Sequence, residues 1–364
     1  MKLKNIIIFF PNFSRGGIEK VSLLITKYLV NKKIKIVFIS FNSLNKNFIN
    51  NKKLFKKIKI YQVKNKFLKF LFSAISLANV LLNFDKKNTV VLSFQNSIIA
   101  IFVSKIMGFN VIIRNSAPID YYKVRSYYSG TIVLVFKTLI YRFADLIISN
   151  SINTANKIKS LPFLKKKIIV ISNPIQFKKN NNLKKKRKNI ILYVGRLSYE
   201  KGIDKLIDGF EILLKKKPLF KLLIIGSGIE KKYLVSKVKE KKLIKKIIFK
   251  NWTFNLENYY KTSKILILPS HFEGLSNVII EALNYKLPCL ATRTDGPSEI
   301  LKGGKYGLIV RSNDKEDISV GLLRVINNYK IYKHKALLGF NANKKYSLNS
   351  IGLKYLHAIR SVLN

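Results

Sequence analysis

The sequence predicts an α/β protein built from two Rossmann-like domains, and two observations carry this prediction. First, the second half of the chain contains three short apolar runs that lead into glycine or proline turns, within residues 190–202, 222–228 and 264–269. Such runs are typical of buried parallel strands, and ligands of these sheets bind at the carboxyl ends of the strands. Second, 364 residues are enough for two domains that each bury a core.

The run at 264–269 leads into the most informative segment of the chain. Pro269 ends the predicted strand, Gly274 allows the backbone to approach a ligand, and Ser276 is a good helix N-cap. We therefore predict that a helix begins at Asn277. Its first-turn amides and the positive end of its dipole would bind a phosphate group.

Two carboxylates, Glu273 and Glu281, stand eight residues apart around this turn. A carboxylate repels a phosphate but accepts hydrogen bonds from sugar hydroxyls. The pair is therefore suited to a sugar nucleotide. The segment alone leaves a second interpretation open, because a strand, a turn and a helix with two incidental glutamates are common in α/β domains.

Arg196 and Lys201 follow another predicted strand, five residues apart. Two cations at the end of a strand can clamp a diphosphate and stabilise a leaving nucleotide without a metal. Each cation alone could equally be a solvated surface charge in so basic a chain. The Gly-x-Gly turn at Gly226 and Gly228 is weak evidence for a nucleotide by itself.

Taken in order, these motifs resemble the family 4 retaining glycosyltransferases with two Rossmann domains, the GT-B type. Each motif is weak alone, but their order and spacing cover nearly the whole chain. The matching pieces are Gly16-Gly17-Ile18-Glu19, Val194-Gly195-Arg196-Leu197, Glu200-Lys201-Gly202, Gly226-Ser227-Gly228, the glutamates Glu273 and Glu281, and Thr294-Asp295-Gly296-Pro297-Ser298-Glu299-Ile300.

The resemblance implies roles for the charged residues. Arg196 and Lys201 would hold the donor diphosphate, Glu273 would bind the donor sugar, and Glu281 would bind the ribose. The phosphates would meet the backbone around Gly274, Leu275, Ser276, Asn277 and Val278.

The resemblance also implies roles for glycines in both halves. Gly16 and Gly17 would form the glycine loop of the first domain, and Gly226 and Gly228 would belong to the walls of the nucleotide pocket. Trp252 falls where the base usually lies, although a packed core tryptophan is an equal interpretation.

One departure from the family concerns histidine. Many members place a first-domain histidine near the reacting carbon, but the histidines of this chain, His271, His334 and His357, all lie in its second half. Arg114 is one possible substitute, with a structural ion pair as its alternative role. The first-domain candidates are Ser93, Gln95, Asn96, Arg114 and Asn115.

The net charge of +51 also requires an interpretation. Residues 1–172 contain four acids against thirty Lys and Arg, so the two halves share the charge almost equally. Only ten of the sixty-nine cations are arginine, which indicates an AT-rich genome as the main cause. Lysine runs such as 165–167 and 184–188 favour an anionic membrane surface as a partner. Nucleic acid is the weaker candidate, because the runs are not interleaved with aromatic residues.

The remaining features exclude several classes of protein. The single Cys289 argues for a reducing compartment and against a disulfide framework or a zinc site. No Asp-x-Asp pair occurs, so we expect a metal-independent enzyme without a resident cofactor. The apolar run at the start ends at Pro11 and is predicted to be a strand rather than a signal peptide. The apolar stretches 67–84 and 131–149 contain charges and are predicted to be buried or amphipathic helices.

We predict four segments along the chain. Residues 1–172 would form the acceptor-side domain, 173–189 a hinge, and 190–344 the donor domain. Residues 345–364 would form a helix that crosses back to the first domain, as in the family.

The favoured function is transfer of a hexosyl or N-acetylhexosaminyl group from a nucleotide-diphosphate sugar. UDP is the family's commonest nucleotide, and guanosine remains open. The acceptor would be a cell-surface glycan or lipid-linked intermediate, such as one of lipopolysaccharide, at the cytoplasmic face of the membrane. Two alternatives remain: a basic protein that has kept the fold without the chemistry and binds lipid or nucleic acid, and a sugar-nucleotide epimerase.

Overall fold

The structure is a computed structural model in which the chain forms two compact units. The first unit combines Met1–Gln176 with Tyr346–Asn364, and the second is Phe177–Lys345. The first unit thus extends four residues beyond the predicted boundary at 172 and includes the end of the chain. The described residues are 3–10, 17–40, 58–62, 69–95, 97–115, 136, 138–161, 167–176 and 186–363.

In the described part of the first unit, seven parallel strands form one sheet in the order β3-β2-β1-β4-β5-β6-β7. The inner strands β1, β4, β5 and β6 are rich in Ile, Val and Leu and are buried, as expected for a parallel sheet covered on both faces. The strands are β1 (Asn5–Phe9), β2 (Lys35–Ser40), β3 (Ile58–Gln62), β4 (Thr89–Ser93), β5 (Asn110–Asn115), β6 (Leu146–Ser149) and β7 (Ile168–Val170).

Two helical layers cover this sheet. Its described helices are α1 (Gly17–Asn31), α2 (Lys69–Leu81), α3 (Ser97–Ile106), α4 (Ile152–Lys159) and the C-terminal helix (Leu348–Arg360). The inner layer, α1 with the C-terminal helix, packs on one face through side chains such as Ile25 and Ile359. The outer layer, α2, α3 and the helical residues 138–141, packs on the other face through side chains such as Leu77 and Ile101.

The C-terminal helix is attached to the first unit at its start and along its side. A parallel β-bridge joins Ile175 to Ser347, whose hydroxyl accepts a hydrogen bond from the Ser350 amide and caps the helix. Gly352 lies against Tyr28 of α1, where an added Cβ would be 2.3 Å from the ring. This glycine therefore allows the two helices to approach closely.

The second unit contains a six-stranded parallel sheet in the order β10-β9-β8-β11-β12-β13. Its strands are β8 (Ile190–Val194), β9 (Lys221–Ile225), β10 (Ile247–Lys250), β11 (Ile265–Leu268), β12 (Cys289–Thr292) and β13 (Leu308–Val310). Its helices are α5 (Ile203–Lys216), α6 (Lys231–Glu240), α7 (Glu257–Thr262), α8 (Asn277–Asn284), α9 (Asp295–Ile300), α10 (Lys315–Asn327) and α11 (Tyr329–Ala342).

The structure confirms the α/β prediction with two Rossmann-like sheets. One element differs: in the stretch 131–149, predicted to be a helix, the described helical residues end at Tyr141, residues 142–145 form a turn, and the last four residues form β6. These residues are buried between β5 and β7 and so have no polar face. A short apolar run of this kind cannot be distinguished from a buried helix by periodicity. Among the described residues, no helix combines the length and hydropathy needed to cross a membrane.

Candidate active site

The second sheet has its switch point between β8 and β11, which are neighbours although three strands apart in the sequence. In open parallel sheets, ligands bind outside the carboxyl ends of the strands at this point. Arg196 and Lys201 follow β8, and Glu273 follows β11. The fold of the second unit alone therefore brings the two predicted motifs to one edge.

Glycines bring the loops after β8 and β9 into backbone contact. An added Cβ on Gly226 would lie 2.0 Å from the Gly195 carbonyl oxygen, and one on Gly228 would lie 2.0 Å from the Leu197 carbonyl oxygen. The Leu197 amide donates to the Ser227 carbonyl at 3.0 Å. Gly226 and Gly228 are thus required for the packing of two loops, whatever they contribute to a nucleotide pocket.

Two further close approaches hold the loops after β8 and β12 against the β11 loop. Gly202 has a left-handed backbone (φ +61°), and an added Cβ would lie 2.2 Å from the Pro269 carbonyl oxygen. An added Cβ on Gly296 would lie 1.6 Å from the Gly274 carbonyl oxygen, and the Gly296 amide donates to the Glu273 carbonyl at 3.3 Å. Gly274 is thus at a point where two chain segments meet.

An ion pair joins the two motifs across these loops. Lys201 Nζ donates to Glu273 Oε2 at 2.7 Å, and each side chain is only 15% exposed. Ser270 Oγ donates to the same carboxylate oxygen at 3.3 Å. A cation and a carboxylate that sequence analysis assigned to phosphate and sugar are therefore in direct contact at the edge of the sheet.

Arg196 is placed differently from Lys201. Its side chain is 67% exposed, and its Nη1 lies 3.9 Å from Glu200 Oε1. Burial of Glu200 raises its pKa, but the hydrogen bond from Ser198 and the charges of Arg196 and Lys201 outweigh burial, so the net shift is downward. Glu200 is thus an additional carboxylate of this loop, and Arg196 has a guanidinium open to solvent.

The helix predicted after Gly274 is present as α8, with Ser276 at the N-cap position. Its hydroxyl makes no capping hydrogen bond, so the expectation of a side-chain cap is wrong here. The Ser276 backbone is extended (φ −84°, ψ 103°), and the side chain is buried. Leu275 is buried beside it, while Asn277 and Val278 begin the first turn.

Glu281 lies one turn further along α8 and has a partner that sequence analysis missed. The Tyr260 hydroxyl donates to Glu281 Oε2 at 2.9 Å. Burial, together with the neighbouring Glu281 charge, raises the pKa of Tyr260 well above its usual value. The phenol therefore stays protonated and can orient the carboxylate. Tyr260 lies within a short helix, α7, and nothing in its local sequence indicates this contact.

A second group missed from sequence surrounds His271. The Tyr199 ring stacks on the imidazole with centroids 5.0 Å apart and planes 13° apart. Asn313 Nδ2 lies 3.1 Å from His271 Nδ1 and 3.0 Å from Nε2. The His271 amide donates to the Glu200 carbonyl at 3.0 Å. These contacts tie the loops after β8, β11 and β13 together, and the position of His271 between β11 and Glu273 was the available signal.

The candidate residues of the first unit differ in burial, and two of them lie outside the described residues. Ser93 is buried and donates to the Gln95 carbonyl at 2.8 Å. Gln95 Oε1 is buried without a hydrogen-bond partner among the described residues. Gly17 begins α1. Gly16 and Asn96 lie outside the described residues.

Arg114 is buried and forms hydrogen bonds with other side chains of the first unit. It is 3% exposed, its Nε donates to the Tyr355 hydroxyl at 2.9 Å, and its Nη2 donates to Asn173 Oδ1. Its guanidinium lies 5.7 Å from the centroid of the Phe94 ring. Through Tyr355 and Asn173, Arg114 therefore joins β5 to the C-terminal helix and to the segment after β7.

Trp252 packs edge-on against Phe254, with centroids 6.0 Å apart and planes 87° apart. Its Nε1 is buried and makes no hydrogen bond within the described part of the chain. Cys289 is a buried residue at the start of β12. Burial raises the pKa of its thiol.

Comparison with known proteins agrees with the resemblance to glycosyltransferases. Residues 174–344 match the family model of the glycosyl transferases group 1. An amylovoran biosynthesis glycosyltransferase, AmsD of Erwinia amylovora, is 28% identical over 309 residues, which are 82% of this chain and 84% of the relative.

A second relative has diphospho-undecaprenol in its name. The N-acetylgalactosamine-N,N'-diacetylbacillosaminyl-diphospho-undecaprenol 4-alpha-N-acetylgalactosaminyltransferase of Campylobacter jejuni is 30% identical over 233 residues, 60% of this chain and 62% of the relative. Among solved structures, Anabaena HepE in complex with UDP and glucose aligns with a TM-score of 0.81 at 15% identity. That alignment covers 98% of this chain and 99% of HepE, and it shows the GT-B fold.

Proposed function

Because this chain belongs to the group 1 glycosyltransferases, with the family domain over residues 174–344, we propose that it is a metal-independent retaining enzyme that uses a nucleotide-diphosphate sugar. The observation that carries the proposal is the Lys201–Glu273 contact of 2.7 Å at the switch point of the second sheet. It joins the residue types needed for a diphosphate and for sugar hydroxyls. The subtype, family 4, is part of the proposal.

Diphosphate binding is assigned to Lys201, Arg196 and the first turn of α8. Arg196 is exposed and free to form a bidentate contact with phosphate oxygens. Lys201 is held by Glu273, so its charge is already positioned. The amides from Leu275 to Val278 lie at a helix N-terminus, where phosphates bind favourably.

Sugar and ribose recognition is assigned to the two glutamates. Glu273, fixed by Lys201, would accept hydrogen bonds from the donor sugar. Glu281, oriented by Tyr260, would accept them from the ribose hydroxyls. Carboxylates held by a cation or a phenol keep their lone pairs directed at one place, which favours hydroxyl recognition.

The proposed chemistry requires no protein nucleophile. The bond between the anomeric carbon and the diphosphate oxygen breaks, and its electron pair leaves with the diphosphate. The acceptor hydroxyl attacks the same face of the sugar and gives its proton to the departing phosphate. Arg196 and Lys201 stabilise the negative charge as it develops, and positioned cations commonly contribute two to three orders of magnitude to a rate, about 10²–10³-fold.

UDP is the proposed nucleotide, supported by the UDP bound in HepE. A glycan or lipid-linked acceptor is proposed because AmsD is named for amylovoran biosynthesis and the Campylobacter jejuni relative for a diphospho-undecaprenol acceptor. We propose that the enzyme meets such an acceptor at the cytoplasmic face of the membrane, as a peripheral protein. The net charge of +51 supports attraction to anionic lipids there.

The test is a transfer assay with a panel of UDP- and GDP-sugars, a lipid-diphosphate sugar acceptor, and EDTA in one arm. We expect one UDP-sugar to give a glycosylated product with the donor's anomeric configuration, read from the proton coupling constant, with EDTA having no effect. An inverted product would refute the retaining mechanism. Conversion of the donor sugar to its epimer without an acceptor would favour a sugar-nucleotide epimerase, and loss of activity in EDTA would refute metal independence.

A further inference from the structure

The outer layer of the first unit carries an unusual number of exposed apolar side chains. On α2 and just after it, Leu71, Ile75 and Leu82 are 51%, 43% and 75% exposed. On α3, Phe102 and Ile106 are 66% and 70% exposed and are separated by one helical turn. These residues are joined by Phe136, Leu139 and Phe143, which are 60%, 40% and 51% exposed. We call these eight side chains the apolar face.

The inner layer of the same sheet provides the comparison. Among the large hydrophobic residues of α1 and the C-terminal helix, which are described throughout, only Leu353 is exposed, at 47%. The two layers cover opposite faces of one sheet and belong to the same compact unit. The difference therefore does not reflect a generally hydrophobic chain. Exposed apolar clusters of this kind mark interaction surfaces.

Charges around the apolar face indicate what covers it. Lys86 and Lys87 are exposed directly after α2, and Arg142 lies beside Phe143 with its guanidinium 4.9 Å from the ring centroid. Two acids lie nearby. Asp85 is exposed beside Lys86 and accepts a hydrogen bond from the Lys87 amide at 2.9 Å, and Asp145 is paired with Lys105, whose Nζ is 2.6 Å from each of its carboxylate oxygens. Apolar side chains with adjacent cations match an anionic lipid surface, which offers both hydrocarbon and negative headgroups.

A second copy of the chain would fit this surface less well. Each copy carries a net charge of +51, so self-association would bring like charges together. The described helices of the outer layer also cannot cross a bilayer. We propose that the apolar face lies in the headgroup region of an anionic membrane and positions the first unit at the surface that carries its acceptor. This inference rests on the proposed lipid-linked acceptor and adds the residues that make the contact.

Flotation of the full-length protein with vesicles tests the inference. The vesicles contain phosphatidylcholine alone or with phosphatidylglycerol, and the salt concentration is varied. The test variant is Phe102→Ser with Ile106→Ser. The matched control is Leu219→Ser with Ile229→Ser, which removes two side chains of the second unit that are 79% and 92% exposed. Urea denaturation shows whether each variant unfolds at the wild-type midpoint and so controls for loss of structure in the changed unit.

We expect the wild type and the control to bind phosphatidylglycerol vesicles and to stay bound at about 0.5 M salt, where charge attraction is screened to a few ångströms. The Phe102→Ser and Ile106→Ser variant should bind at least tenfold more weakly, because two apolar side chains no longer enter the interface. Lys86→Glu with Lys87→Glu should weaken binding mainly at low salt.

Two results would overturn the inference. One is equal vesicle binding by the wild type and the Phe102→Ser, Ile106→Ser variant. The other is a wild type that does not bind vesicles but forms dimers in light scattering, with the variant monomeric, which would assign the apolar face to a second copy. Transfer to a water-soluble acceptor is measured in parallel, so that failure of membrane binding is separate from failure of the proposed reaction.

Discussion

The carboxyl edges of the two sheets have the same topology and different chemistry. Each sheet is parallel and reverses its strand order once. In the second unit, this edge holds the Lys201–Glu273 ion pair and the Tyr260–Glu281 hydrogen bond, surrounded by loops in backbone contact. In the described part of the first unit, Arg114 at this edge is turned into the interior, and Glu19 in the first turn of α1 is buried.

This difference shows how one fold supports two roles. A doubly wound sheet provides an edge at which ligands can bind, but the loops that follow its strands decide what binds there. The second unit has cations and carboxylates suited to a charged donor. The first unit uses its arginine to hold the C-terminal helix and presents neutral groups such as Gln95.

The largest effect is expected from Lys201→Ala. We predict that kcat/KM falls about 10²–10³-fold, because a cation held at the departing diphosphate is lost. The control is Lys237→Ala, which removes an equally buried lysine paired with Asp208 at 2.6 Å on the helices α5 and α6. Steady-state kinetics that place both variants within threefold of each other would remove Lys201 from the site.

A large effect on stability is expected at Arg114. The change Arg114→Met leaves the Tyr355 hydroxyl and the Asn173 side chain without this donor and should lower the free energy of unfolding by roughly 2–4 kcal/mol. Urea denaturation measures the change, and Arg142→Met is the exposed control. UDP binding by the second unit should be unchanged; a specific loss of kcat without loss of stability would instead assign Arg114 to the reaction.

Gly296→Ala tests the loop packing of the second unit. The new methyl group would overlap the Gly274 carbonyl oxygen, which lies 1.6 Å from the ideal Cβ position. The two loops must separate, and we expect about 1–3 kcal/mol of destabilisation with weaker UDP binding. Calorimetry measures both quantities. Unchanged UDP affinity would mean that this contact does not shape the donor site.

A smaller effect is expected at Glu281. Because Glu281 is assigned to the ribose, Glu281→Gln should raise the Kd for UDP about tenfold, or about 1.4 kcal/mol, while Tyr260→Phe should raise it less by leaving the carboxylate unoriented. The double variant should be no worse than Glu281→Gln. Additive losses in isothermal titration would show that the phenol does not act through the carboxylate.

The smallest expected effect is that of Tyr285 on the stability of the protein at alkaline pH. Burial first, and then the charges of Glu257 and Glu281, raise the pKa of Tyr285 from 10.0 to about 12. The folded state therefore keeps this proton when the unfolded state has lost it. The contribution of Tyr285 to the free energy of unfolding is complete below about pH 10 and disappears as the pH rises to about 12. Tyr285→Phe should flatten this part of the stability profile, whereas Tyr233→Phe, at an exposed position, should leave it unchanged.

Local sequence patterns were sufficient to predict the α/β class, the strands β1, β8, β9 and β11, and the segments that carry the site. The strand before Pro269, the glycine turn and the helix beginning at Asn277 all follow from residue types within a few positions. The helix prediction for residues 146–149 was wrong, because the periodicity of a short apolar segment does not distinguish a buried strand from a buried helix.

The partners within the site could not be predicted in the same way. Tyr260 contacts Glu281 from a different helix, and Tyr199 contacts His271 from a different loop. Such pairs depend on how loops after different strands meet, which no local pattern encodes. The close approach of Gly296 to Gly274 is of the same kind. The motif positions were thus accessible from sequence, whereas the contacts that orient them required the fold.

Thermal stabilisation by nucleotides tests the central claim most directly. Wild type, Arg196→Ala and Glu281→Ala would be heated with UDP, GDP, ADP and their sugars, with Lys237→Ala as the control. We predict stabilisation of the wild type and the control by one nucleotide series, near 2.7 kcal/mol at about one hundred times Kd, and a stabilisation lower by about 1.4 kcal/mol or more in the two site variants. A folded wild type that responds to none of these nucleotides, or site variants that respond as strongly as the wild type, would contradict a donor site at this edge of the second sheet.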